Sequence, residues 1–339
     1  MLDWDFFSLK YPYPIDLNKG TRYFDTHVEL ITLTRIVENR VVSSNALKKR
    51  FSKRARQASS TFLWCYFDVQ YADIPDGHTS LGVPRYYRHS ILVLQRAVKN
   101  WNDHKNLNFV INFGDIIDGK CPKDQSLNAV KKVASEFENF HSPVYHMIGN
   151  HCLYSFPRDK LLPLLKIPNH GDGRTHAYYD FSPTPGYRFV VLDGYDISAI
   201  GWPHDHPNRL EALKILIGNE QMEWLDNVLK DATNMKQKVI IWCHVPLDPG
   251  ATSKKMLLWN YDQVMDLIQR YDCVKVCLSG HNHQEGYSFD SRGVHHRVLN
   301  AASECPPGTN AFGYIDVYDK MLSLVGTDRV KSTGFCFDF

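Results

Sequence analysis

Five short polar motifs, each placed where an apolar run ends, constrain this sequence more than any other feature. In chain order they are DVQ with Asp68 and Gln70, GDIIDG with Asp115, GNH with Asn150 and His151, CHVP with His244, and GHNH with His281 and His283. Short apolar runs of this kind are typical of buried strands. Because open α/β sheets build their sites beyond the carboxyl ends of strands, we expect the five motifs to lie close together.

The residue types in these motifs are those of a metal centre. They supply two carboxylates, two amide oxygens and three imidazoles, from Asp68, Asp115, Gln70, Asn150, His244, His281 and His283. Seven such donors can hold two divalent ions if one carboxylate bridges, and Asp115 is the natural bridge. Oxygen mixed with imidazole suits manganese, iron or zinc better than a thiolate-rich structural zinc site. Two ions about 3.5–4 Å apart activate water and neutralise phosphate charge, which predicts hydrolysis of a phosphoester or phosphoanhydride.

Each residue also has an ordinary interpretation when taken alone. Asp68 is in a position typical of a turn or cap residue, and Asn150 follows a glycine, where a left-handed turn is common. His244 has the place of a hydrogen-bonded residue at the edge of the core. His281 and His283 are two apart, and on an extended segment two such side chains point the same way. The five motifs together favour the metal centre.

The rest of the pattern predicts an α/β or α+β sandwich. Short strand-like runs begin at Thr61, and four segments between them show helical spacing of apolar residues, at 85–104, through the 120s and 130s, at 222–229 and at 257–268. The last runs, HHRVLNA, AFGYIDVY and KMLSLVG, follow one another without helices. Strand–helix alternation that ends in consecutive strands is typical of two layered sheets with hairpins on the later side.

Three parts of the chain are distinguished by pattern. Residues 1–57 match the regular pattern poorly, and we expect an N-terminal extension, either folded or disordered. It ends in the basic cluster KKRFSKRAR, which is either a localisation or phosphate-contact patch or a solvated linker. Residues 58–330 form the predicted catalytic domain, and 331–339 a C-terminal tail.

Composition excludes several classes of partner. With 39 basic and 37 acidic side chains the formal charge is +2, so no overall field favours nucleic acid or an anionic membrane. No apolar run reaches the roughly 18 residues of a membrane span, and Asp3 and Asp5 precede any signal-like segment. The eight cysteines form no CxxC pair, and several lie in strand-like runs, which favours reduced thiols. We expect a cytoplasmic monomer that acts on small molecules.

The order D-x-[HQ], GD-x-x-D, GNH, H, GHxH resembles that of the calcineurin-like metallophosphoesterases over about residues 61–330. The resemblance implies a four-layer sandwich of two packed mixed sheets flanked by helices. It also implies that Asp68, Gln70, Asp115 and His283 hold one metal ion and that Asp115, Asn150, His244 and His281 hold the other. His151 would be the transition-state stabiliser or leaving-group acid, although GNHC lacks the aspartate that commonly follows this histidine.

A finer resemblance is carried by DVQYAD, RYYR, GDIIDG, GNHCLY, YYDFSP and ECPPGT with AFG. These segments resemble the manganese-dependent ADP-ribose/CDP-alcohol diphosphatases, particularly the plant members. That subfamily shares the replacement of histidine by glutamine seen at Gln70. The resemblance implies two divalent ions, most simply Mn2+, with Fe, Zn or Mg as alternatives. It implies cleavage of the diphosphate of ADP-ribose or CDP-alcohols to a nucleoside monophosphate and a phosphorylated remainder.

Candidate substrate contacts are less specific. Arg85 and Arg88 open the predicted first helix, where a phosphate is favoured, and arginine binds phosphoryl oxygens in a bidentate manner; they are equally well read as solvated helix residues. Cys305 and Phe312, in ECPPGTNAF, could line a slot for the base, or the loop is structural. We expect His89, His295 and His296 to be core or supporting residues.

Two other functions remain open at this point. One is a phosphomonoesterase or cyclic-nucleotide phosphodiesterase on the same scaffold. The other is a non-catalytic scaffold protein of this fold that binds a partner.

Overall fold

The computed structural model describes residues 61–66, 68–79, 81–104, 107–168, 175–198, 200 and 216–337. The predicted N-terminal extension, residues 1–57, and the basic cluster at its end lie outside the described residues.

The apolar runs form strands, as expected for segments rich in β-branched and aromatic residues. In chain order the strands are β1 Thr61–Tyr66, β2 Gly77–His78, β3 Pro84–Arg85, β4 Leu107–Asn112, β5 Val144–His146, β6 Tyr179–Phe181, β7 Tyr187–Leu192, β8 Lys238–Cys243, β9 Val274–Ser279, β10 Gly286–Phe289, β11 His295–Val298, β12 Phe312–Tyr318, β13 Met321–Gly326 and β14 Thr333–Cys336.

The four segments with helical spacing are all helical in the structure. The helices are α1 Ser90–Asp103, α2 Lys123–Glu138, α3 Asn150–Leu153, α4 Arg158–Leu164, α5 Asn219–Asn234 and α6 Tyr261–Ile268, with 3-10 turns at Lys254–Met256 and Ala302–Glu304. The first begins at Ser90 and not at residue 85. The backbone N–H of Tyr86 donates to Ser303 O at 2.8 Å, so this part of the chain is bound to a distant loop and does not enter the helix.

Sheet 1 has the strand order β14-β13-β12-β1-β4-β5. Strands β1, β4 and β5 run parallel, while β12, β13 and β14 add to β1 as an antiparallel meander. Tyr66 at the end of β1 lies opposite Asn112 at the end of β4. The loops that carry Asp68 and Asp115 therefore leave the sheet side by side.

Sheet 2 has the order β10-β11-β9-β8-β7-β6. Its four central strands, β11, β9, β8 and β7, are parallel, and the two edge strands are antiparallel. Leu192 lies opposite Cys243, and Trp242 lies opposite Leu278. The loops after β7, β8 and β9 consequently emerge at one end of this sheet.

Aromatic side chains join the two sheets. Phe109 of β4 meets Phe181, Phe189 and Trp242 of sheet 2 edge to face, with ring centroids 5.4, 5.2 and 6.2 Å apart. Tyr145 of β5 stacks on Phe181 at 3.7 Å. Such pairs contribute roughly 0.5–1.5 kcal/mol each beyond the burial of their area, so this layer sets how the sheets face each other.

Helices cover the outer faces and complete the predicted four layers. Trp101 of α1 stacks on Phe137 of α2, and Phe137 packs against His146 of β5 in sheet 1. On the other side α5 contacts α6 and β8 and buries Leu225 and Leu229. Among the described helices, the longest of which have 16 residues, none has the length and apolarity needed to cross a membrane.

Residues 333–336 of the predicted C-terminal tail are part of sheet 1. Strand β14 pairs with β13 from Met321 opposite Cys336 to Leu324 opposite Thr333, and Phe335 is fully buried. The predicted domain boundary at residue 330 is therefore wrong, since the sheet extends to Cys336. The short TGFC run was missed because its four residues are too few to show a pattern.

We expect Phe335→Ala to lower the free energy of unfolding by roughly 3–5 kcal/mol, the usual cost of removing a buried phenylalanine ring. Urea unfolding followed by circular dichroism measures this change. Phe289→Ala, at a ring that is 45% exposed, is the control and should cost much less. Equal, small effects of the two changes would mean that the segment is a tail after all.

Candidate metal centre

The five motifs lie just beyond the carboxyl ends of strands, as predicted; four are in loops, and Asn150 and His151 of GNH begin the short helix α3. The predicted ligands follow the strands in this order: Asp68 and Gln70 after β1, Asp115 after β4, Asn150 after β5, His244 after β8, and His281 and His283 after β9. Sheet 1 thus carries the carboxylates and amides, and sheet 2 carries the imidazoles.

Most of these residues have a left-handed backbone conformation. The positive φ angles are 39° at Asp68, 42° at Gln70, 46° at Asp115, 64° at His281 and 61° at His283. For residues other than glycine such conformations cost on the order of 1–3 kcal/mol each and occur preferentially at functional sites. The surrounding contacts must therefore impose them.

The GHNH segment is a turn, so the prediction that its two histidines align on an extended segment is wrong. The N–H of Asn282 donates to Gly280 O at 2.7 Å, and the N–H of His281 donates to Asp68 Oδ2 at 3.1 Å. This turn aims His281 and His283 at the site. The turn is held in place because the N–H of His281 is bound to Asp68, which follows β1 of sheet 1.

Two glycines allow the loops to approach the carboxylates. A Cβ atom on Gly149 would overlap the carboxylate of Asp115, and one on Gly280 would lie 2.8 Å from Asp68 Oδ2. A side chain at either position would collide with a carboxylate, so the GNH and GHNH motifs require glycine there.

Asp68, Asp115 and His244 form the centre of the cluster. All three are buried, and one ligand atom from each lies within 4.8 Å of the others. His244 Nδ1 lies 2.6 Å from Phe113 O, while its Nε2 lies 3.5 Å from Asp115 Oδ2. A backbone carbonyl that holds Nδ1–H leaves the Nε2 lone pair for a metal ion.

The donor set fits a divalent cation. Among the described residues, Asp68 Oδ1 and His244 Nε2 are buried without a hydrogen-bond partner. Buried polar atoms nearly always have one, so such atoms call for a bound ion or water. Both are ligand-type atoms that face the same cluster, which a cation would satisfy together.

The charges in the cluster act on one another. Burial raises the pKa of Asp68 above its usual value. Burial also opposes the charge of His244, but Asp115 and Asp68 outweigh it and raise the pKa of His244 to about 9. Burial would raise the pKa of Asp115 as well, yet His244 and His151 hold it below its usual range. A cation that binds here would displace a proton from His244.

His281 differs from His244 in its protonation. Its ring centroid lies 5.3 Å from that of His244, and desolvation together with the charge of that neighbour lowers the pKa of His281 to about 3. It is therefore neutral at physiological pH, as a metal ligand must be.

Gln70 and His283 are joined to a buried polar network. Gln70 Nε2 donates to Asp115 Oδ2 at 3.1 Å and lies 3.3 Å from His283 Nε2, while Gln70 Oε1 accepts from Ser303 Oγ at 3.0 Å. His283 Nδ1 lies 3.1 Å from Glu304 Oε1. In this orientation Gln70 presents its amide nitrogen to the cluster, so ligation through Oε1 requires a 180° rotation of the carboxamide.

Asn150 lies next to the cluster and is held by two tyrosines. Tyr195 Oη donates to Asn150 Oδ1 at 2.9 Å, and Asn150 Nδ2 donates to Tyr154 Oη at 3.0 Å. The ring of Tyr195 is 5.9 Å from that of His244. The role of Asn150 as a ligand stays a prediction.

His151 has the carboxylate partner that GNHC lacks. Its Nδ1 lies 3.2 Å from Asp118 Oδ2, and its Nε2 lies 4.0 Å from Asp115 Oδ2. Burial alone would lower the pKa of His151, but Asp115 and Asp118 raise it. Asp118 is the second aspartate of GDIIDG, so the motif itself contained the signal that was missed.

Of the four predicted substrate contacts, the structure brings only Arg85 to the site. Arg85 lies in β3 and not in a helix. Its Nη1 contacts His283 Nδ1 and bonds Glu304 Oε1 at 3.0 Å and Ser303 Oγ at 3.1 Å. Arg88 is exposed and paired with Asp73 at 2.6 Å.

Cys305 and Phe312 do not form a slot for a base. They are 0% and 3% exposed and belong to the hydrophobic core. Cysteine and phenylalanine are among the residues most often buried, which is the reason for the failure. His295 and His296 are buried in β11 and bond Cys336 O and Asp290, and His89 precedes α1, as expected of supporting residues.

Comparison with known proteins gives one family. The calcineurin-like phosphoesterase model matches residues 74–285. The chain is 63% identical over 296 residues to the manganese-dependent ADP-ribose/CDP-alcohol diphosphatase of Arabidopsis thaliana, covering 79% of this chain and 94% of that protein. It is 56% identical to the protein of that name from Oryza sativa subsp. japonica, covering 80% and 92%, and 33% identical to the one from Homo sapiens, covering 78% and 89%.

Solved structures agree with this likeness. A dimetal phosphatase from Danio rerio aligns with a TM-score of 0.77 and 29% identity, over 83% of this chain and 100% of the other. A purple acid phosphatase from Lupinus luteus aligns with a TM-score of 0.55 and 14% identity, over 83% and 54%, which shows the fold alone.

We expect Asp68→Asn to raise the free energy of unfolding in a chelator by about 0.5–2 kcal/mol, because it removes one of two like charges from a buried site. The same change should weaken or abolish any rise in Tm that Mn2+ gives the unaltered chain. Thermal unfolding in EDTA and in Mn2+ measures both effects, with Asp73→Asn, at an exposed carboxylate, as the control. Full stabilisation of Asp68→Asn by Mn2+ would contradict the site.

Proposed function

The chain belongs to the calcineurin-like phosphoesterases and, within them, to the manganese-dependent ADP-ribose/CDP-alcohol diphosphatases, and on that basis we propose that it hydrolyses the diphosphate of ADP-ribose and of CDP-alcohols. The products are a nucleoside monophosphate and a phosphorylated remainder. The observation that carries the proposal is the convergence of buried carboxylates and imidazoles from both sheets in a chain whose relatives bear this activity in their names.

Two metal ions would be held by the predicted ligand sets. Asp68, Gln70, Asp115 and His283 would hold one, and Asp115 would be shared with a second set, completed by Asn150, His244 and His281. Two divalent ions, most simply Mn2+, supply when bound a Lewis acid for the phosphoryl oxygens and an activated water at neutral pH. The neutral imidazole of His281 and the Nε2 of His244, which has no hydrogen-bond partner among the described residues, suit metal ligation.

His151 would act on the leaving group. Its side chain is 26% exposed and therefore reachable by substrate, and its Nδ1 accepts from the N–H of Gly119 at 2.8 Å and lies 3.2 Å from Asp118 Oδ2. The protonated form is favoured by Asp115 and Asp118. From Nε2 it would donate a hydrogen bond or a proton to the phosphoryl oxygen that leaves, which is the task of a general acid.

Arg85 would bind the second phosphoryl group of the substrate. Its guanidinium lies beside His283 and is fixed by Glu304 and Ser303, so the cation is oriented before substrate binds. A preorganised charge stabilises developing negative charge without reorganisation.

The location and assembly we propose are a reducing compartment, most simply the cytoplasm, and a monomer that acts on small molecules. Seven of the eight cysteines, those from Cys121 onward, are free thiols in the structure, and six of these seven are buried. Free buried thiols are usual in reducing compartments.

We expect the purified chain with Mn2+ to cleave ADP-ribose and CDP-choline, with the nucleoside monophosphate identified by mass spectrometry. Cyclic nucleotides and phosphomonoesters belong in the same panel. Asp115→Ala should abolish turnover with the fold retained by circular dichroism. Preferred cleavage of a cyclic nucleotide or monoester would favour those activities instead, and no turnover of any compound by a folded, Mn2+-loaded chain would leave a non-catalytic scaffold.

Arg85 and Arg88 offer a matched pair of tests. We expect Arg85→Lys to lower kcat/KM for ADP-ribose about 10–100-fold, because a lysine is a point charge that cannot replace a bidentate guanidinium. Arg88→Lys, at an exposed ion pair, should leave kcat/KM within about twofold, since such pairs contribute little. Steady-state kinetics of both variants measure this, and equal effects would remove Arg85 from the substrate site.

A further inference from the structure

Asn150 is held at the centre by a chain of contacts that leads away from the metal ligands into the other half of the fold. Its Oδ1 accepts from Tyr195 Oη at 2.9 Å, and its Nδ2 donates to Tyr154 Oη at 3.0 Å. Both atoms of the carboxamide are thus engaged, and Asn150 and Tyr195 are buried. The oxygen that would face a metal ion is the one that Tyr195 orients.

Tyr195 is itself fixed through its backbone. It follows β7 of sheet 2, whereas Asn150 follows β5 of sheet 1. The N–H of Tyr195 donates to Asp193 Oδ1 at 3.0 Å, and Arg158 Nη2 donates to Tyr195 O. The hydroxyl of Tyr195 therefore has a defined position only as long as Arg158 and Asp193 hold the peptide.

Arg158, whose side chain is 20% exposed, and the buried Asp193 form an ion pair with two contacts. Arg158 Nη1 bonds Asp193 Oδ2, and Nη2 bonds Oδ1 at 3.1 Å; the Asp193 side chain is 0% exposed. Gln221 of α5 clamps the backbone of Asp193, accepting from its N–H at 2.8 Å and donating to its carbonyl at 3.1 Å. Because two parallel bonds fix the plane of a guanidinium, this pair defines direction as well as charge.

We infer that Arg158, Asp193 and Tyr195 form a positioning relay that sets the orientation of Asn150 for metal binding. None of the three contributes a ligand atom in the assignment above; they act through the hydroxyl of Tyr195 alone. The relay rests on the proposed function in that Asn150 is taken to hold the second metal ion. Supporting residues of this kind change metal affinity about 10–100-fold when they are removed.

The test is the binding of Mn2+ by the full chain, measured by isothermal titration calorimetry and by electron paramagnetic resonance of free Mn2+. We expect Tyr195→Phe, which removes one hydroxyl, to weaken one of two Mn2+ sites about 10–100-fold and to leave the other unchanged. Tyr187→Phe is the control: it also removes a hydroxyl from a buried tyrosine, one that donates to Tyr318 O at 2.6 Å, away from the motif loops. It should bind Mn2+ as the unaltered chain does.

Arg158→Lys is a second variant that keeps the charge but cannot bond Asp193 and Tyr195 O together, and we expect it to weaken the same Mn2+ site. Unchanged Mn2+ binding by Tyr195→Phe or by Arg158→Lys, with only a lower Tm, would mean that these residues are structural and would overturn the relay. An unaltered chain that binds no Mn2+ would refute the proposed function and the relay with it. The two failures are thus distinguishable.

Discussion

Two carboxylates, Asp68 and Asp115, are buried in one pocket, and most other features of the site follow from holding them there. Like charges repel strongly where water is excluded, and a buried charge persists only when it is paired or binds a cation. His244 lies 3.5 Å from both, but leaves Asp68 Oδ1 without a hydrogen-bond partner among the described residues. The left-handed backbones and close glycines keep this unfavourable group of charges together.

The pocket exists only because two sheets are packed at a fixed distance. One sheet carries the carboxylates, and the other carries the imidazoles. Phe109, Phe189 and Trp242 fill the space between them, and interiors packed in this way transmit small displacements and do not absorb them. Since a metal ion tolerates only small errors in ligand distance, the aromatic layer helps to set the geometry of the centre even though it lies outside the motifs.

The sequence predicted well where local pattern and residue type decide the outcome. The spacing of apolar residues predicts the helices, and the acidic, amide and imidazole groups that follow apolar runs mark the loops that meet at the carboxyl ends of the strands. It failed where tertiary contacts decide. The GHNH turn is hydrogen-bonded to Asp68, and the backbone of Tyr86 is hydrogen-bonded to Ser303. Strand β14 shows no sequence pattern of its own and forms by pairing with β13. The burial of Cys305 and Phe312 is a different kind of error, since their residue types alone favour the core.

Some residues outside the five motifs orient the predicted ligands. Ser303, which holds Gln70, shows why they matter. Ser303 holds Gln70 Oε1, so its amide nitrogen faces Asp115. A hydroxyl donates or accepts equally well, and therefore the carboxamide can rotate without losing Ser303. The rotation exchanges a hydrogen bond to Asp115 for an oxygen directed at the cluster, which is what a cation beside Asp115 would favour. The carboxamide of Gln70 would then serve either as a hydrogen-bond donor to Asp115 or, as predicted, as an oxygen ligand of a cation.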